Sequence, residues 1–199
     1  SSKILPLPPL AVDNFRHIFL CPCDRMDIPR KKEDIMEKTC CFTGHRPRKL
    51  PFGSDETDER CVKLKNTLYA KARELIENEG VTKFISGLAL GVDTFAAEAV
   101  LLLKEEFPEI ILEAAIPCED QPAFWKTNDR KRYYKIAERC DISTVLQKIY
   151  TNGCMQKRNR YMVDNSDIVI AVWDGSSGGT ELTVRYAEKT GKKILPILP

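Results

Sequence analysis

The sequence predicts an α/β fold, a Rossmann-like three-layer sandwich built on a mainly parallel six-strand sheet. Three observations carry this expectation. From residue 39 onward, short apolar runs alternate strictly with runs of helical period, the pattern of βαβ units whose sheet is covered on both faces. The run Ile168-Val169-Ile170-Ala171-Val172-Trp173 is apolar throughout, as a strand buried on both faces requires. Glycines and polar residues follow three of the strands directly, where open α/β sheets bind their ligands.

The elements follow in order. Residues 39–42 form a short strand that ends at Gly44. A helix over 57–79 places Cys61, Leu64, Leu68, Ala72, Leu75 and Ile76 on one face and is stopped by Gly80, which tolerates the left-handed turn that closes a helix. A strand at 81–85, a helix at 94–106, a strand at 110–116 and a helix at 129–139 come next. Then follow a strand at 142–146, a helix at 155–165, the apolar strand at 168–173, a helix at 181–189 and a strand at 193–198.

A chain of 199 residues with 43% hydrophobic content suffices for one core. Residues 1–36 differ: Pro6, Pro8, Pro9, Pro22 and Pro29 interrupt any helix and no glycine occurs. The expectation is a poorly ordered leader over 1–36 and one domain over 37–199, with Met36 as its natural first residue. The 31 basic and 29 acidic residues leave a net charge of +2, so the whole-chain field draws neither nucleic acid nor anionic lipid. No apolar run approaches the roughly 20 residues of a membrane span, and a cytoplasmic location is expected. Eight cysteines, at 21, 23, 40, 41, 61, 118, 140 and 154, include no Cys-x-x-Cys, and the chain has two histidines. This argues against a metal site and for buried reduced thiols. Cys40 and Cys41, adjacent in a strand, should face opposite ways.

The segment Asp174-Gly175-Ser176-Ser177-Gly178-Gly179-Thr180-Glu181 joins the most apolar strand to a helix. Free amides and the positive helix end there suit a phosphate. Gly178 and Gly179 permit close backbone approach, and Thr180 adds a hydroxyl. A tight turn that merely needs glycine is the alternative. In Ser86-Gly87-Leu88-Ala89-Leu90-Gly91-Val92-Asp93, Asp93 occupies the helix start, where its carboxylate caps amides or meets ribose hydroxyls. Ser86 and Gly87 lie nearer the crevice. After the first strand, Gly44 frees the turn so that His45 and Arg46 reach an anion, the alternative being a surface turn with two solvated bases. In Met155-Gln156-Lys157-Arg158-Asn159-Arg160-Tyr161-Met162, helical spacing sets Arg158 or Asn159 beside the apolar face and Arg160 toward solvent.

Six basic residues between Lys126 and Arg139, with Tyr133 and Tyr134 among them, read better as a solvated helix face than as a nucleic-acid surface. Trp125, in the long loop after the third strand, either stacks on a base or plugs the loop onto the core.

Taken in this order and spacing, Phe-Thr-Gly-His-Arg-Pro, Ser-Gly-Leu-Ala-Leu-Gly-Val-Asp and Met-x-x-Arg-Asn-x-x-Met leading to Ala-Val-Trp-Asp-Gly-x-x-Gly-Gly-Thr resemble the YpsA-like branch of the SLOG superfamily. Its relatives include the DNA-processing proteins of natural transformation and the LOG-type phosphoribohydrolases. The resemblance implies a Rossmann-like sheet and a site for a nucleotide-derived ligand such as AMP, NAD or ADP-ribose. It also matches Arg158 to the arginine of the LOG helix. It departs at Glu181, which follows Thr180 immediately instead of two or three residues later. One residue along a helix is about 100° of rotation, so this glutamate is expected to face away from a substrate.

Three functions follow as expectations. The first is binding or sensing of a nucleotide-derived ligand at Gly44, His45, Arg46, Ser86, Gly87, Asp93, Trp125, Arg158, Asn159, Asp174, Gly175, Ser177, Gly178, Gly179 and Thr180. The second is N-glycosidic hydrolysis of a nucleoside monophosphate, with Arg158 and Glu181 as catalytic candidates. The third is DNA binding. A small-molecule partner is favoured over nucleic acid, no membrane partner is expected, and self-association is left open.

Overall fold

Strict alternation of elements carries through the computed structural model, which describes residues 37–199. The expected leader at 1–36, Met36 and Cys21 and Cys23 included, lies outside the described residues. The strands are β1 (Lys38–Gly44), β2 (Val81–Ser86), β3 (Ile111–Ile116), β4 (Ile142–Val145), β5 (Ile168–Val172) and β6 (Lys193–Ile197). The helices are α1 (Glu59–Glu79), α2 (Val92–Leu103), α3 (Thr127–Ala137), α4 (Cys154–Asp164) and α5 (Gly179–Lys189). The sheet order is β4-β3-β2-β1-β5-β6, and every neighbouring pair is parallel.

The periodicities explain the layers. Along β1, Cys40 and Phe42 enter a core shared with α1, α2 and α3, whereas Cys41 enters a second core with α4 and α5. The two neighbouring cysteines therefore do face opposite sides. All six described cysteines are free thiols, and all but Cys140 are buried. Phe42 stacks on Phe84 of β2 at 5.8 Å between ring centroids, and α1 buries Cys61, Leu64, Leu68, Ala72 and Leu75 as its spacing predicted. That helix is shorter than expected at its start: the Asp58 carboxylate accepts the Arg60 amide at 2.8 Å, so Thr57 and Asp58 belong to the preceding turn. Helix α2 begins two residues early and ends at Leu103, where the Phe107 amide returns to the Leu103 carbonyl at 2.8 Å and closes the turn.

Three helices cover one face and two the other. Where the second face lacks a third helix, β3 presents Glu113, which is buried. Its carboxylate accepts the Thr144 and Tyr161 hydroxyls at 2.7 Å each and pairs with Lys83 at 2.6 Å. Burial pushes this carboxyl up, but the hydrogen bonds from Lys83, Tyr161 and Thr144 outweigh it and leave it below its ordinary value. No helix among the described residues is long and apolar enough to cross a membrane.

Candidate functional site

Strand β1 has β2 on one side and β5 on the other, so the connections that leave these strands part above their C-terminal ends. A crevice at such a switch point follows from topology alone. Here it is a cavity of about 560 Å³, within the usual size of small-molecule sites. Its walls come from the turn after β1, the β2–α2 loop, the N-terminal turns of α4 and the loop into α5. Of the sequence-predicted residues, Gly44, His45, Arg46, Asp93, Arg158, Asn159, Ser177, Gly178, Gly179 and Thr180 line it.

Arg158 projects from the second turn of α4 and is buried. Its Nη1 donates to Asp93 Oδ2 at 3.3 Å and its Nε to Asn159 Oδ1 at 2.8 Å. Burial pushes the Asp93 carboxyl up, against the pull of the Arg158 and Arg46 charges. Asp93 thus neither caps α2 nor stands free for a sugar, a correction to the sequence reading: the nearest buried cation claims it, since an unpaired buried charge is costly. Gly87 explains how the guanidinium fits, because a Cβ there would lie 1.3 Å from Arg158 Nη1. Gly87 serves Arg158 and does not line the cavity. Asn159 continues the chain of bonds, its Nδ2 donating to Thr183 Oγ1 at 2.8 Å, and that hydroxyl donating to the Gly179 carbonyl at 2.8 Å. The N-terminal turns of α4 and α5 are locked together in this way.

The loop into α5 is partly self-satisfied. Asp174 Oδ1 accepts the Ser176 amide at 2.9 Å and meets His45 Nε2 at 2.7 Å. The hydrogen bonds from Ser176 and His45 hold this carboxyl well below the usual carboxylate range. The Gly178 amide donates to Glu181 Oε2 at 3.3 Å, and Gly178 itself has φ 143°, a conformation open to glycine. The amides of Ser177, Gly179 and Thr180 have no acceptor among the described residues. They are the orphan donors of a helix start, and they border the cavity.

Sequence reasoning missed Lys49. It lies in a short 3-10 turn, Pro47–Lys49, and its ammonium donates to the Ser177 carbonyl and lies 3.4 Å from Ser176 Oγ. This strap joins the turn after β1 to the loop after β5. Nothing local marks it, since an exposed lysine in a Pro-Arg-Lys turn reads as solvated. Arg48 and Met155 also line the cavity, and Met155 Sδ lies 3.9 Å from Arg46 Nη2.

Five predicted residues, with Gly87 already placed, stand apart from the cavity. Ser86 is buried and donates to the Asp93 carbonyl at 2.8 Å while accepting the Leu88 amide at 3.2 Å. It shapes the β2–α2 loop. Trp125 packs on the first core, edge-on to Tyr133 at 5.5 Å, so the loop is plugged and the indole is not offered to a ligand. Gly175 (φ 87°) and Asp174 turn the chain after β5. Glu181 caps Gly178 and pairs with Arg185 at 2.7 Å, turned from the cavity as its spacing suggested. On α3, Arg132 is held by Glu98 and Glu56, which removes charge from the basic face.

Comparisons with known proteins bear on the family and the fold. Residues 40–195 match the profile of the YspA SLOG family. The SPbeta prophage-derived protein YoqJ of Bacillus subtilis (strain 168) is 38% identical over 142 residues, 65% of this chain and 82% of that protein. A UPF0398 protein of Bacillus cereus (strain G9842) is 29% identical over 159 residues, 78% of this chain and 83% of its own. Among solved structures, DNA processing protein A of Helicobacter pylori superposes with a TM-score of 0.55 at 27% identity, over 80% of this chain and 64% of that one. The chain belongs to the YspA SLOG family.

Proposed function

We propose that this protein binds a nucleotide-derived anionic ligand, of the nucleotide, NAD or ADP-ribose type, at the C-terminal ends of β1 and β5. One observation carries the reading: three unclaimed amides, those of Ser177, Gly179 and Thr180, border a cavity of about 560 Å³. A phosphate seated there meets backbone donors and the positive end of α5. Arg46, Arg48 and Lys49 add cations on the same wall. Arg158, already neutralised by Asp93, contributes donors more than net charge. Phe42, Ala89 and Met155 supply apolar wall for the remainder of the ligand.

N-glycosidic hydrolysis through Glu181 is disfavoured by that side chain's bonds to Gly178 and Arg185. The Helicobacter protein has a described single-stranded DNA binding mode, which keeps an oligonucleotide as a rival occupant of the cavity. Thermal denaturation with AMP, NAD, ADP-ribose and a single-stranded oligonucleotide decides between them. A binder at a hundredfold excess over its dissociation constant stabilises the fold by about 2.7 kcal/mol. No shift with the three nucleotides, or a shift with the oligonucleotide alone, overturns the reading.

A further inference from the structure

Among the described residues, His45 is the one imidazole on the cavity, and its surroundings suit more than retention of a ligand. The ring is buried, with Nε2 at 2.7 Å from Asp174 Oδ1. That carboxylate only accepts when ionised, so Nε2 carries the proton, and Nδ1 holds the lone pair in the neutral ring. Nδ1 has no hydrogen-bond partner among the described residues, yet it is not among the sealed, unpartnered atoms. It therefore keeps some exposure, and it belongs to a residue that lines the cavity.

We propose that the protein hydrolyses the phosphoanhydride bond of the ligand it binds, with His45 as general base and Asp174 as the positioning residue behind it. This rests on the nucleotide-binding reading above. His45 Nδ1 takes a proton from a water molecule as the water oxygen attacks phosphorus. The new P–O bond forms and the bond to the bridging oxygen breaks. That oxygen leaves on the second phosphate with its electron pair, and the proton on Nδ1 passes to solvent or to the departing phosphate. Water is the only co-reactant. Arg158 Nη2, which has no acceptor among the described residues, the Lys49 ammonium and the open amides face the charge that develops on the phosphoryl oxygens.

The same inventory selects the bond. Among the described residues lining the cavity, Asp93 is the one carboxyl, and Arg158 holds it. Glu181 is turned away. The site therefore offers a base without a separate acid. A phosphate departs as a stable anion and needs no protonation, whereas a purine base or an alkoxide does. Phosphoanhydrides fit this arrangement, and N-glycosides and alkyl phosphates do not.

The test incubates the full chain with ADP, ATP and ADP-ribose in ¹⁸O-labelled water. Product phosphates are followed by ³¹P NMR and mass spectrometry, and ligand binding by thermal shift. At least one of the three is expected to be cleaved with a single ¹⁸O in one product. Asp174→Asn still accepts the Ser176 amide, so the loop is kept, but the tautomer of His45 is no longer enforced. It should lower kcat on the order of 10²-fold with KM nearly unchanged, and His45→Gln should lower kcat at least as much. Should all three compounds stay intact while still raising the melting temperature, hydrolysis is overturned and nucleotide binding survives. If they neither bind nor react, both readings fall. Turnover that persists in a folded Asp174→Asn protein with its kcat unchanged overturns the assignment to this dyad.

Discussion

The Arg158 guanidinium occupies the space where Gly87 has no side chain: a Cβ on Gly87 would lie 1.3 Å from Nη1 and 2.7 Å from Asp93 Oδ2. Helix α4 and the β2–α2 loop thus share one volume, and only glycine leaves it to the ion pair. Gly87→Ala should expel the guanidinium and strand the Asp93 carboxylate in the interior. The expected loss is about 3–5 kcal/mol, the range for breaking a buried pair. Urea denaturation measures it, and a loss under 1 kcal/mol would mean that the pair relocates freely.

The pair itself can be separated from its desolvation cost. Arg158→Leu and Asp93→Leu should each destabilise strongly, because each leaves one charge buried alone. The double variant should recover much of that loss, since an apolar pair of similar volume carries no such penalty. The cycle is predicted to show a favourable coupling in the double variant of at least 1 kcal/mol; additive losses would contradict it.

Lys49→Ala should divide binding from stability. The side chain is exposed, so the fold should change by no more than about 0.5 kcal/mol. Affinity for the nucleotide identified by thermal shift should fall roughly tenfold, equivalent to about 1.4 kcal/mol. Titration calorimetry at two salt concentrations checks this, and the salt dependence should shrink along with the affinity.

Acid should weaken the fold through carboxylates that the native state keeps ionised. The Arg60 side chain holds Asp58 down at about 2, and Ser176 and His45 hold Asp174 below its ordinary value. A folded pKa below the unfolded one means that the stabilisation is complete above the unfolded value, roughly pH 4. It is lost as pH falls through the folded value. Melting temperatures between pH 7 and pH 2 should therefore drop mainly below pH 4. Asp58→Asn and Asp174→Asn should each flatten the drop; an unchanged profile in both would assign acid lability elsewhere.

Much of the fold was legible in the chain because periodicity is local. The uniformly apolar run at β5 announced a doubly buried strand, the spacing of Leu64, Leu68 and Leu75 announced the buried face of α1, and glycines after β1 and β5 marked where a crevice would open. Arg158 and the 177–180 segment were legible for the same reason, one from helical spacing and the other from a strand-to-helix turn too rich in glycine and hydroxyls. Lys49 was not, because its importance lies in reaching a carbonyl 128 residues further along the chain. Trp125 and Ser86 were misplaced for a related reason: residue type states what a side chain is able to contact, and only the packing around it states which contact it makes.

The sequence alone determined the order and kind of the elements, the parallel sheet and the end of it at which the crevice opens. Tertiary structure decided the pairings, with Asp93 given to Arg158, Asp174 to His45 and Ser177 to Lys49. The division has a physical cause. Backbone periodicity and turn chemistry act over a few residues and are written in local order. Ion pairs and buried hydrogen bonds are set by distances across the sheet, and these exist only once β1 lies between β2 and β5.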